Sequence, residues 1–431
     1  MSCSAATPAA ELWQEIAAKK RAEVASKIPP EWRLLPSYLD KVSPTSTWNV
    51  LAVPRECGIL SQDEIHITEG HDAVSLVEAI AAGTYTALQV ATAFCKRAAI
   101  AQQLIIFEDA LSRARDLDAY FAETGKVKGP FHGLPISLKS AESENNVFGR
   151  VLNPHKLSLG AGGSSGGEGA LVAMRGSLLG VGTDIAGSIR IPALCCGVFG
   201  FKPTASRVPY GGQGSGSRPG NPGILASAGP LATSARDLRF FLENIIRAKP
   251  WDCDPTAFFL PFRDPERHSK LKLGYFRGDP SYPLHPPVAR ALGAAVEQLR
   301  KSGHSVEVLD QLPDLSKAVN LAFKYFDLDT AKTSFGYIAA GGEPKIASLK
   351  TSSPEPSKEP LNLDDLFAMN TARAQIIAEW QNIWLENHLD AIIMPGHRST
   401  AVQHDKYGQP PYTVLWNLVD VTYPRPVLSN H

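Results

Sequence analysis

The sequence has no CxxC pair, no apolar run long enough to cross a bilayer, and no excess of charge of either sign. Its six cysteines (Cys3, Cys57, Cys95, Cys195, Cys196 and Cys253) are thinly spread over 431 residues. That spread argues against a disulfide framework or a zinc site and for reduced thiols in a cytosolic protein. No uninterrupted apolar stretch approaches the roughly 18–20 residues of a membrane helix. The opening segment MSCSAATPAAELWQEIAAKKRAEVASK lacks the apolar centre of a signal peptide. Lys plus Arg and Asp plus Glu both number 43, which removes the electrostatic reason to expect a nucleic-acid partner or an anionic membrane surface. The expectation is a cytoplasmic protein with neither kind of partner.

What is present is enough apolar material, 44% of residues, to bury a sizeable core. Residues 11–26 alternate charged and apolar at helical spacing, with Leu12, Ile16, Ala17 and Val24 near one face. A second helix is expected from Asp72 to Gly83. A third is capped by Thr86 and runs through Leu88, Val90, Phe94 and Ala98. Leu271–Phe276 and Ser305–Leu309 read as strands flanking a helix over Pro287–Ser302, an order that favours parallel pairing. Ile376, Ile377, Trp380, Ile383 and Trp384 form a helical stripe, followed by a short strand over Ala391–Met394. Helices alternating with short apolar strands predict an α/β layered fold. The chain reads as one domain over 1–431, with a helical extension over 1–70 and an exposed linker over 350–360.

The chemistry-bearing segment is 161–193. It opens on a Gly-rich turn, Gly162-Gly163-Ser164-Ser165-Gly166-Gly167, continues through a helix-compatible run over Glu168–Arg175 and a strand over Leu178–Val181, and closes on a second small-residue turn, Asp184–Ser188. Two tight turns around one helix and one strand can bring Ser164 and Ser188 together, and glycine lets backbones approach closely. Three readings of these residues stay open. A phosphate loop lacks its GxxxxGK[ST] lysine. A nucleophile elbow needs GxSxG, which Ala186-Gly187-Ser188-Ile189-Arg190 does not supply. Two structural glycine turns are the plain alternative. HGLPISLK (132–139) adds a strand that ends on Lys139, a residue type normally solvated.

The ordered set GLPISLK, GGSSGGE and GTDIAGSIRIPA resembles the amidase signature family, with further similarity in ENNVFGRVLNPH (144–155), GVFGFKPTASRVPY (197–210), GPLATSARDL (229–238) and PYTVLWNLVD (411–420). The likeness runs over nearly the whole chain and is strongest to fungal acetamidase-type amidases. It implies a central twisted mixed sheet flanked by helices, and hydrolysis of small carboxamides to carboxylate and ammonia through an acyl-enzyme. It assigns Ser188 as nucleophile, Ser164 as bridging serine and Lys139 as base. It places an oxyanion hole at the N–H groups of Ile185, Ala186, Gly187 and Ser188, and implies a cis peptide bond before Ser164. Asp184 and Arg190 are expected to pair and hold the turn. Side chains fill every polar role, so neither metal nor cofactor is implied. The partner is a small-molecule amide, and a homodimer is allowed. Cys195 and Cys196 read as packed thiols.

The chain departs from the family pattern in three places. A long stretch between the lysine strand and ENNVFGR is missing, with a smaller gap near Gln103–Phe107. The sequence stops soon after WNLVD, so the C-terminal region reads as truncated. Ala186 stands where the pattern has glycine, and its methyl would be strained at positive φ. The alternatives to a working hydrolase are a catalytically impaired family remnant that binds a ligand or partner, and an amidotransferase subunit acting on charged transfer RNA.

Overall fold

The computed structural model describes residues 8–104, 111–138, 143–214, 216–264, 269–347, 349 and 361–420. Lys139, the 350–360 linker and the tail after residue 420 lie outside them.

Among the described residues nine strands are formed: β1 (Ile136–Leu138), β2 (Glu144–Asn145), β3 (Gly149–Arg150), β4 (Leu179–Asp184), β5 (Phe199–Gly200), β6 (Ser227–Ala232), β7 (Lys272–Tyr275), β8 (Ser305–Val308) and β9 (Ala391–Ile393). Among the described residues they make a four-stranded mixed sheet in the order β1-β4-β6-β5, a three-stranded sheet in the order β8-β7-β9, and the β2-β3 hairpin. β1 runs parallel to β4, with Ile136 opposite Leu179 and Leu138 opposite Val181. β6 runs antiparallel to β4 and β5. In the second sheet β7 pairs parallel with both β8 and β9. The Pro286–Lys301 helix joins β7 to β8, as the strand–helix–strand pattern predicts.

Local chemistry explains the helices. Asp72 caps Ala73–Ala81 by accepting from the Ser75 N–H at 3.0 Å, with Ser75 bonding back to the cap. Thr86 and Gln89 make the same reciprocal pair at the start of Ala87–Leu104. In the Pro8–Lys27 helix Ala17 and Val24 are buried while Ile16 is 58% exposed, which corrects the expected face. Residues seven apart lie about 20° apart around a helix, whereas neighbours differ by about 100°. For the same reason Leu88 stays at the surface while Val90, Phe94 and Ala98 are buried.

Small residues in β4 let a helix settle on the sheet. Gly180 and Gly182 share one face of the strand. A Cβ on Gly180 would collide with the Glu168 carboxylate. One on Gly182 would lie 2.7 Å from Ser165 Oγ and 2.9 Å from Leu231 Cδ1. Ser165 and Glu168 open the Gly166–Ala173 helix, so the missing methyls bring the serine turn down onto β4. There the buried Glu168 accepts from Ser137 Oγ of β1 at 2.5 Å.

The Pro411–Val419 helix packs against Leu315–Phe326 and Leu363–Glu386. Their shared core includes Tyr325, Trp380, Tyr412, Leu415 and Leu418. The segment preceding it lies along the strand-like stretch before the serine turn, where the Gly160 N–H donates to Val402 O at 2.8 Å. In that segment His397 is buried, stacks on Tyr407 and accepts from the Ser399 N–H at 3.2 Å. Burial, with smaller contributions from Arg398 and His285, lowers its pKa to about 4. An unfolded chain binds this proton below about pH 6.5 while the folded chain does not until about pH 4, so acidification through that window removes stability. His397→Phe is expected to flatten the loss. Urea denaturation at pH 7, 5.5 and 4.5 checks it, and an unchanged slope excludes His397 as the cause.

Candidate active site

Both serine turns sit at the C-terminal end of β4, an interior strand of the four-stranded sheet. β4 ends at Asp184 and delivers the chain into Ile185-Ala186-Gly187-Ser188, after which the Arg190–Cys196 helix begins. The Gly162–Ser165 turn crosses beside it. The Ser164 N–H donates to Ser188 Oγ at 3.2 Å, and the Ser165 N–H donates to Ser188 O at 3.2 Å. The two serines, distant in sequence, are therefore neighbours. Gly163 makes this approach: its φ is +55°, and a Cβ there would lie 2.9 Å from Pro192 Cδ and 3.0 Å from Ser188 Cα.

The peptide bond before Ser164 is trans, since no described residue follows a cis bond. This corrects the expectation of a cis bond. Two consecutive left-handed glycines, Gly162 at φ +83° and Gly163 at φ +55°, turn the chain instead. Ser143, the first described residue after Leu138, docks on this turn. Its hydroxyl donates to Gly163 O at 2.5 Å and accepts from the Gly166 N–H at 3.1 Å.

Asp184 is fully buried. Its carboxylate accepts from the Gly187 N–H at 2.8 Å, the Ile189 N–H at 3.1 Å, Arg190 Nη2 at 2.8 Å, Arg190 Nε at 3.0 Å and Asn417 Nδ2 at 3.0 Å. Burial alone would raise its pKa. The Arg190 guanidinium, the Ile189 N–H and Asn417 outweigh burial and hold it below the ordinary carboxylate value. Arg190 in turn donates to Asn417 Oδ1 at 2.6 Å and Thr413 O at 2.9 Å.

The Gly187 N–H, one of the four expected anion-binding donors, is thus engaged by Asp184. Among the described residues the N–H groups of Ile185, Ala186 and Ser188 have no acceptor. Gly187 needs its lack of a side chain: φ is +133°, and a Cβ would lie 2.6 Å from Ile191 Cδ1. Ala186 is not among the residues with positive φ, so its methyl carries no backbone strain. Ser164 and Ser188 are half-buried, and Ile185 beside them is 39% exposed. Cys195 and Cys196 are buried behind the turn, and burial pushes the Cys195 thiol up to about 12, far from a reactive thiolate.

The sequence motifs assign no role to Thr413 and Asn417, although both lie in PYTVLWNLVD (411–420). A signal was present. They are polar residues four apart in an otherwise apolar helix, PYTVLWNLV, and a polar pair on a buried face must find partners. In the fold both are buried, and the Thr413 hydroxyl donates to Ala186 O at 2.7 Å.

Asp184→Asn is expected to cost about 3 kcal/mol of stability, because it leaves the Arg190 cation without its partner. The depressed carboxylate pKa stabilises the fold above the unfolded value and loses that contribution as pH falls through the folded value. The acid limb of stability below about pH 4 should therefore be shallower in the variant. Urea titrations of both proteins at pH 7 and pH 3.5 read both effects.

Comparison with known proteins identifies the family. A family model for amidases matches residues 140–430. An amidase of Gibberella moniliformis is 38% identical over 468 aligned residues, covering 95% of this chain and 88% of its own. An acetamidase of Aspergillus oryzae is 33% identical over 480, covering 95% and 86%. Both alignments are longer than this 431-residue chain, so these relatives hold internal stretches with no counterpart here. A solved fatty acid amide hydrolase superposes with a TM-score of 0.88 at 27% identity, covering 95% of this chain and 82% of that one. A bacterial aryl acylamidase shares the fold at a TM-score of 0.64 and 18% identity, covering 81% and 87%. Among the described residues no helix is long and apolar enough to cross a membrane. With the family model and these relatives in agreement, the chain belongs to the amidase signature family of amide hydrolases.

Proposed function

We propose that this chain hydrolyses small linear carboxamides to carboxylate and ammonia through an acyl-enzyme on Ser188, with Ser164 as proton relay and Lys139 as base. The observation that carries the reading is the contact of the two serine turns, in which Ser188 Oγ accepts from the Ser164 N–H at 3.2 Å. Sheet topology supports the third member. β1 and β4 are parallel neighbours, so the strand that leads into Lys139 and the strand that leads into Ser188 run out at the same end of the sheet. The similarity to an acetamidase supports a small acyl group.

The steps follow from the groups. A serine hydroxyl is a weak nucleophile until its proton has somewhere to go. A lysine accepts it only when neutral, and its ordinary pKa is about 10.4. A site that excludes water lowers that value by penalising the ammonium form. Ser188 Oγ attacks the amide carbon while its proton passes through Ser164 to Lys139. The carbonyl oxygen becomes an oxyanion, met by the N–H groups of Ile185, Ala186 and Ser188, with Gly187 holding the turn. The proton returns through Ser164 to the leaving nitrogen, the C–N bond breaks and ammonia departs. Water then enters by the same relay and splits the ester, restoring Ser188. Preorganised donors of this type contribute roughly 3–4 kcal/mol each to the transition state.

Ammonia release from acetamide and benzamide tests the reaction, and hydroxamate formation with added hydroxylamine tests the acyl-enzyme. Ser188→Ala is expected to lose at least about a thousandfold in kcat, and Lys139→Ala or Ser164→Ala at least about a hundredfold. A chain that melts cooperatively yet releases no ammonia, forms no hydroxamate and takes no fluorophosphonate label on Ser188 is a non-catalytic family member, and the proposal falls.

A further inference from the structure

Each end of the Ala186–Gly187 peptide plane is held by a different part of the chain. At one end the Gly187 N–H donates to Asp184 Oδ1 at 2.8 Å. At the other, Ala186 O accepts from Thr413 Oγ1 at 2.7 Å, across 227 positions of sequence. The same hydroxyl lies 3.3 Å from Pro410 O, a longer and weaker contact. Thr413 is buried, and its own carbonyl receives Arg190 Nη1 at 2.9 Å. The residue that follows the plane is Gly187 at φ +133°, a conformation in which a glycine-containing turn can rotate its peptide with little steric hindrance. Rotation of this plane would break both hydrogen bonds. It would also free the torsions at Ala186 and Gly187, through which the flanking peptide planes that carry the Ala186 and Ser188 N–H groups are held in place.

We infer that Thr413 is a positioning residue: its hydroxyl locks the Ala186–Gly187 peptide so that the Ala186 and Ser188 N–H groups stay aimed at the developing oxyanion. The assignment rests on the hydrolase reading above. It gives the Pro411–Val419 helix a role in the reaction that packing alone does not require, because a valine would fill the same space without making the bond. The lock acts on the charged transition state and leaves ground-state amide binding nearly untouched, since a neutral carbonyl gains little from exact donor alignment.

The experiment compares wild type, Thr413→Val, Thr413→Ala and Thr413→Ser. It measures kcat and KM for benzamide, and the inhibition constant of an aryl trifluoromethyl ketone, which becomes a tetrahedral oxyanion when a serine adds to it. Thr413→Val and Thr413→Ala are expected to lose about 10–100-fold in kcat with KM within about twofold, and to bind the ketone weaker by the same factor as kcat/KM. Thr413→Ser should stay within about threefold of wild type in each. The ratio of inhibition constant to KM does not depend on how much of a preparation is folded, so partial misfolding cannot imitate the result. A valine variant with the wild-type ratio, or a serine variant as damaged as the valine one, overturns the assignment. So does loss of folding in the valine and alanine variants alike, since the hydroxyl then serves folding rather than orientation. A wild-type chain that turns over no amide and binds no ketone instead overturns the hydrolase reading.

Discussion

The buried carboxylate of Asp184 is the constraint on which the arrangement depends. A carboxylate removed from water costs several kcal/mol unless its lone pairs are met. Here they are met by two backbone N–H groups of the following turn, by Arg190 and by Asn417. Each partner lies on a different piece of chain: the turn itself, the first residue of the next helix, and the Pro411–Val419 helix. Satisfying one charge therefore fixes the curvature of the Ser188 turn, the start of Arg190–Cys196 and the seat of a helix from the far end of the chain. Arg190 extends the same network to Thr413 O.

Around that charge the site is built by omission of side chains. β4 lacks side chains where Ser165 and Glu168 come down on it, and Gly163 lacks one where Pro192 and Ser188 press closest. Each missing Cβ shortens a distance that no ordinary residue would allow, and the two serine turns meet as a result. The turn that carries Ser164 is also tied to the chain that follows β1. Ser143, only five positions beyond Leu138, reaches Gly163 O and the Gly166 N–H.

Much of this is legible in the sequence. Runs of small residues separated by a short apolar strand identified the two turns, and capping residues located helices at Asp72 and Thr86. The strand–helix–strand pattern after residue 270 gave parallel pairing, because an intervening helix leaves room for no other economical connection. Periodicity was weakest where apolar residues were sparse, as at Ile16, since one isoleucine among alanines and charges does not define a face. The engagement of the Gly187 N–H was hidden because sequence motifs name residues, whereas a hydrogen bond chooses between acceptors in space. The trans bond before Ser164 was hidden for a related reason: two glycines can turn a chain by more than one backbone route. Thr413 and Asn417 were legible only as polar residues in an apolar helix, and nothing in the sequence linked them to a turn more than two hundred positions away.

The most direct test of the central claim is a crystal structure of the chain after reaction with a small fluorophosphonate. Phosphonylation should fall on Ser188 Oγ. The phosphoryl oxygen should lie about 2.7–3.1 Å from two or more of the Ile185, Ala186 and Ser188 nitrogens, with the Gly187 N–H still on Asp184. An adduct on another residue, or one whose oxygen faces solvent while Asp184 has released the turn, would contradict it.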